Sequence, residues 1–150
     1  MVDMLDYQRL SVRRDSKFES LEHKFCATKG ASKESVVFST LKEFMVFAAL
    51  VGYQLDEYQP IAAKTNTGTI QLDIYASTGL DAYIYLIALA KNPSLDILKD
   101  ENLKDAIEIF ESYCNAGLAN IDNWVMSHMS EPLVSNVLFN QTLEYLIENE

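Results

Sequence analysis

Cysteine, proline and glycine are all scarce in this 150-residue chain, at two, three and five residues. Cys26 and Cys114 lie far apart with no CxxC spacing, which excludes a zinc ribbon and a dense secreted disulfide framework; a reducing cytoplasm suits such thiols best. The few glycines form no GxGxxG and no GxxxxGK[ST], so the familiar phosphate cradles are missing. The longest apolar run, Ala82 to Ala90, falls far short of the roughly 20 residues that a membrane span needs. The opening stretch MVDMLDYQRLSVRRD has charges every few residues and no apolar h-region, unlike a signal peptide. A soluble, cytoplasmic protein with no membrane partner is therefore expected. Basic residues also run short: residues 1–42 hold eight Lys and Arg against six acids, whereas residues 43–150 hold four against sixteen. An acidic body repels phosphate backbones and argues against broad nucleic-acid binding, and its plainest role is a solubilising surface.

Apolar residues make up 49% and charged residues 23% of the chain, which is the balance of a globular protein and not of a disordered one. One domain over residues 1–150 is expected, with a flexible or extended arm over 1–11. At this length folding buries about 68–70% of the surface that the unfolded chain exposes, so no disulfide or metal staple is required. Ser16 and Glu19 have capping-box spacing, and Phe18, Leu21 and Phe25 follow at helical intervals, predicting a helix over 16–27. Residues 27–35 read as a loop. Thr40 and Glu43 start a helix over 40–51 that Gly52 would end. Phe44 to Val51 are all apolar, so this helix should be covered on most sides. Ile70, Leu72, Ile74 and Ala76 alternate with polar or aromatic neighbours as a strand does. Asn66-Thr67-Gly68 suggests a hairpin turn from an earlier strand at Ile61 to Lys64.

A second apolar helix over Asp81–Lys91 is stopped by Asn92-Pro93-Ser94, and Ser94 can cap the short helix after it. The two apolar helices are expected to pack on each other. Leu103, Ala106, Ile107, Phe110, Tyr113 and Cys114 mark one helix face, with Lys104, Asp105, Glu108 and Glu111 opposite, and Gly117 as its end. Leu118 to Met126 then makes a further helix carrying Trp124. A last helix follows Ser130-Glu131-Pro132 and runs to about Ile147. The resulting class is mainly α (α+β): a compact helical domain of five to seven helices with one small β-hairpin.

Chemistry-bearing residues are few. His23 and Cys26 make an HxxC that lacks a second ligand pair, so a surface histidine beside a core cysteine is the simpler reading, and His128 reads as a surface residue. Asp56, Glu57, Asp73 and Asp81 bracket the hairpin without the D…(D/E)xK pattern of metal nucleases, which leaves them as turn and cap residues. No catalytic residue, metal site or cofactor is assigned. The remaining feature is the basic cluster Arg9, Arg13, Arg14 and Lys17, continued by Lys24, Lys29 and Lys33. Such a run is ordinarily a solvated face; the sharper reading is contact with an acidic partner or with nucleic acid, with Arg9, Arg13, Arg14 and Lys17 as the partner-binding residues. Only Tyr7 and Phe18 could stack on bases there, which weakens the single-strand case. Replacing Arg13, Arg14 and Lys17 together should leave the fold intact and weaken docking.

The blocks RRDSKFESL, VFSTLKEFMVFAALVGY, PIAAKTNTGTIQLDIY, DAYIYLIALA and EIFESYCNAGL, in this order, resemble those of the DNA phosphorothioation-associated protein 4 family from about Val12 to Trp124. The resemblance implies a bacterial accessory protein encoded with systems that replace a DNA phosphate oxygen by sulfur, or that restrict DNA lacking this mark, as phage defence. It supplies no catalytic residues. The expected role is thus non-catalytic docking on protein components of such a system, with a homo-oligomer also compatible. The alternative is a DNA-facing protein, which either touches duplex DNA through its basic front end or mimics DNA with its acidic body.

Overall fold

The computed structural model describes residues 10–130 and 134–148; Arg9, the rest of the expected arm up to that residue, and Glu131 and Pro132 lie outside them. Six α-helices and one two-stranded sheet make up the regular structure of the described residues: β1 (Ser11–Asp15), α1 (Glu19–Phe25), α2 (Leu41–Gln54), β2 (Thr67–Gln71), α3 (Leu72–Ala76), α4 (Asp81–Lys91), α5 (Leu103–Ser127) and α6 (Val134–Glu148). Short 3₁₀ turns stand before and after α1 and ahead of α5. The mainly helical class read from periodicity is the observed one.

The small antiparallel sheet is present, but its first strand is Ser11–Asp15 and not Ile61–Lys64. Val12 pairs with Ile70 and Arg13 with Thr69, and the ladder is prolonged by Leu72 N–H donating to the Leu10 carbonyl (2.7 Å) and Ser16 N–H to that of Asn66 (3.0 Å). Buried Val12 supplies the inward side chain that Ile61–Lys64, whose residues stay largely in solvent, does not. The strand is also shorter than its alternation suggested. From Leu72 the chain turns helical, so Leu72 and Tyr75, three apart, point inward while Ile74 is exposed.

The core is built on α2 and α5. These helices, not α2 and α4, form the main pair, and α4 packs chiefly on α5. Neither Gly52 nor Gly117 ends a helix. Each lies inside one, at the point where the two backbones meet: a Cβ on Gly117 would overlap the Ala48 carbonyl and come within 3.1 Å of Gly52 N, and one on Gly52 would overlap the Tyr113 carbonyl. Glycine is used here for close approach, not for a turn. The helix end expected at Gly52 is made by Asp56, in the left-handed region at φ 56°. Asp56 N–H donates to the Tyr53 carbonyl (3.1 Å) and Glu57 N–H to that of Gly52 (2.9 Å), the paired bonds of a Schellman motif. At the other end Thr40 makes no side-chain cap; Glu43 reaches back to Ser39 N–H (3.2 Å) instead.

With Gly117 internal, α5 runs unbroken, and Phe110, Cys114, Leu118, Ile121 and Val125 bury one continuous stripe. Met45 and Cys114 meet sulfur to sulfur at 3.6 Å. Phe25 and Phe38 pack on Phe44, and Tyr75 packs edge-on against Phe110. The final helix α6 sets buried Val137 and Leu138 inward, and its Tyr145 hydroxyl donates to the Gln54 carbonyl at the end of α2 (2.9 Å).

Candidate functional site

Strand alternation sends Arg13 and Arg14 to opposite sides of β1, and each finds a carboxylate. Arg13 donates through its backbone N–H (2.6 Å) and Nε (3.1 Å) to Glu111 Oε2, and through Nη2 to Oε1 (3.0 Å). This bidentate fork holds the guanidinium still more firmly protonated. Glu111, expected on the outer face of its helix, has a side chain only 4% exposed. Arg14 Nε donates to Glu22 Oε2 at 2.9 Å, with the two side chains 11% and 1% exposed, and Lys29 Nζ stands 3.7 Å from the other oxygen of Glu22.

The basic cluster therefore divides. Arg13, Arg14 and Lys29 neutralise buried carboxylates, whereas Lys17, Lys24 and Lys33 reach solvent, Lys17 lying 3.6 Å from Asp15 and over the Phe18 ring. The expectation that Arg13, Arg14 and Lys17 can be replaced together without harm to the fold is thus corrected, because removing Arg14 strands a buried charge.

The other reactive side chains have structural partners. His23 Nδ1–H donates to the Lys29 carbonyl (2.8 Å) and His128 Nδ1–H to that of Trp124 (2.8 Å). Cys26 and Cys114 are buried free thiols; burial pushes Cys26 up to about 12 and raises Cys114 as well, so neither carries thiolate character at neutral pH. Glu57 accepts from Asn120 Nδ2, and Asp73 and Asp81 sit in the first turns of α3 and α4. Among the described residues no three His, Cys, Asp or Glu side chains cluster as a metal ion would require.

What composition and spacing did not reveal is a groove of about 390 Å³ between α2 and α6. Phe47, Leu50, Val51 and Tyr53 line it from α2, Trp124 from α5, and Tyr145 and Leu146 from α6. The α2 helix is covered on most sides, as its apolar run required, and the groove follows the strip where Leu50 and Tyr53 stay exposed. Its surplus of apolar residues serves α5 on one face and this groove on the other. Carboxylates, imidazoles, thiols and amines are missing from the lining residues, whose polar groups include the Gln54 amide and the hydroxyls of Tyr53, Thr142 and Tyr145, so the groove is suited to apolar groups.

The family described as DNA sulphur modification system-associated protein 4 matches residues 12–146. No curated protein and no solved structure matches. The chain belongs to the DNA sulphur modification system-associated protein 4 family.

Proposed function

We propose that this member of a DNA sulphur modification-associated family acts without catalysis, docking on the larger protein components of the modification or restriction machinery as part of anti-phage defence. The observation that carries this reading is the pairing of family membership with a concave surface of mainly apolar and aromatic character. Each thiol and imidazole of the described residues is buried or hydrogen-bonded to backbone, which suits a structural role for all four.

Direct contact with DNA has weaker support. Arg13 and Arg14 are each committed to a carboxylate, and the acidic surface opposes phosphate. Exposed Lys17, Lys24 and Lys33 stay available to an acidic partner surface, and we keep Lys17, with Arg9, in that role, while Arg13 is given over to Glu111.

The test is co-purification. Tagged full-length protein expressed from its own locus should retain the modification or restriction components, and purified protein should give no salt-sensitive shift of duplex DNA. Failure to retain any of those components, together with such a shift, would reverse the order of the two readings.

A further inference from the structure

The groove continues onto an apolar stripe of α6. Phe139, Leu143, Leu146 and Ile147 recur at i, i+4, i+7 and i+8 and are 66%, 43%, 56% and 63% exposed. The core contacts of this helix are supplied by other positions, among them Val137 and Leu138, so the stripe is surplus to folding.

The stretches that line the groove are short of basic residues. No Lys or Arg occurs between Lys42 and Lys64 or anywhere after Lys104. The acids Asp56 and Glu57 directly follow Tyr53, Gln54 and Leu55, which line the groove at the end of α2. Lys91, which reaches the loop after α2, lies over the Tyr58 ring (4.7 Å). Helix geometry adds to this charge. The C-terminal turns of α2 and α6 both border the groove, and the last turns of α2, α5 and α6 contain no basic residue to offset their partial negative charge.

We propose that the groove receives an amphipathic helix of a partner protein, with apolar side chains seated between α2 and α6 and Lys or Arg at its margins facing the acidic rim and the two helix ends. This rests on the accessory reading and names the chemistry of its partner. A second copy of the chain fits poorly, since it would set acids against acids, and a nucleic acid would do so more strongly.

Trp124 is the single tryptophan of the chain and lines the groove, so its emission reports occupancy directly. The probe is a Trp-free amphipathic peptide of about 18 residues, or five turns, with a Leu face and Lys/Arg flanks; its counterpart carries Glu/Asp flanks. Full-length protein should show a saturable Trp124 shift with the basic peptide only. Leu146→Lys should lower affinity at least tenfold, Leu86→Lys on exposed α4 should leave it unchanged, and Asp56→Asn with Glu57→Gln should reduce its salt dependence. Equal binding of both peptides, no Trp124 shift with either, or a dimer in sedimentation that Leu146→Lys dissolves would overturn the proposal. The same Leu146→Lys variant separates the two levels of inference. If wild type and variant retain modification components equally, the groove assignment fails and the accessory reading survives. If wild type retains none while the basic peptide binds as expected, the accessory reading fails and the groove assignment stands.

Discussion

Gly117→Ala is normally the kind of change that strengthens a helix, by about 1 kcal/mol at an interior position. Here it should do the reverse. The added methyl would overlap the Ala48 carbonyl oxygen and stand 2.6 Å from its carbon, where ordinary van der Waals contact begins at 3.4 Å. The obstructing atoms are backbone atoms of another helix, so no side chain can rotate away, and α2 and α5 must part by more than 1 Å to clear the carbonyl oxygen. Overpacking of this kind costs about 1–3 kcal/mol, and a gap of 0.5–1 Å forfeits about a quarter to a half of the dispersion attraction at each separated contact. Those contacts include Met45 on Cys114 and Gly52 on Tyr113. With the overpacking cost at the top of that range and the propensity gain set against it, the net loss should be about 2 kcal/mol, which for a chain of this size lowers Tm by about 4–8 °C. Thermal and urea unfolding followed by circular dichroism would measure it. Ala48→Gly should not rescue the variant, because the clash is with the carbonyl and not with the methyl. A Gly117→Ala protein as stable as wild type, or more so, would show that the helices do not cross this closely.

Glu22→Gln should cost about 3–5 kcal/mol in urea unfolding, since it leaves Arg14 buried beside a neutral amide, while Arg14→Met with Glu22→Leu should recover most of that loss; a single variant within about 1 kcal/mol of wild type would show that the pair does not hold β1 to α1. Alkaline pH should destabilise the fold through its buried thiols. Cys26 is raised from 9.0 to about 12 and Cys114 is also raised by burial, so above pH 9 the unfolded chain loses protons that the fold retains. The stability tied to these groups is complete below pH 9 and then falls by about 1.4 kcal/mol per pH unit and thiol until the folded thiols titrate. Cys114→Val should make that decline shallower, and a slope identical to wild type would remove Cys114 from the account.

Periodicity located the helices well because 3.6-residue spacing is a local property, written in side chains such as Phe110, Cys114, Leu118 and Ile121. It failed where the decisive partner was distant in the chain. Ile61–Lys64 lay beside a good turn and β1 did not, yet the β2 strand chose Val12, since the buried contact it offers outweighs the cost of closing a longer loop, which grows only slowly with length. Glycine was misread for a related reason. Gly52 and Gly117 follow apolar runs as helix terminators do, and only the facing helix shows that each is there to admit a carbonyl.

The charges carry a different lesson. Glu111 is four residues after Ile107 and three before Cys114, so helical spacing had placed it on the apolar stripe; that position was the available sign that it must be buried and paired. Arg13 is given over to Glu111, and Arg14 and Lys29 to Glu22 within the same front segment, so much of the apparent basic patch is committed to buried carboxylates. What remains outward-facing is an acidic molecule with an apolar groove bordered at the end of α2 by Asp56 and Glu57. Apolar burial alone would let such a groove accept almost any greasy segment, its own copy included. Adding fixed negative charge discriminates against acidic competitors by repulsion, so partner choice can be set by the rim while the groove supplies adhesion.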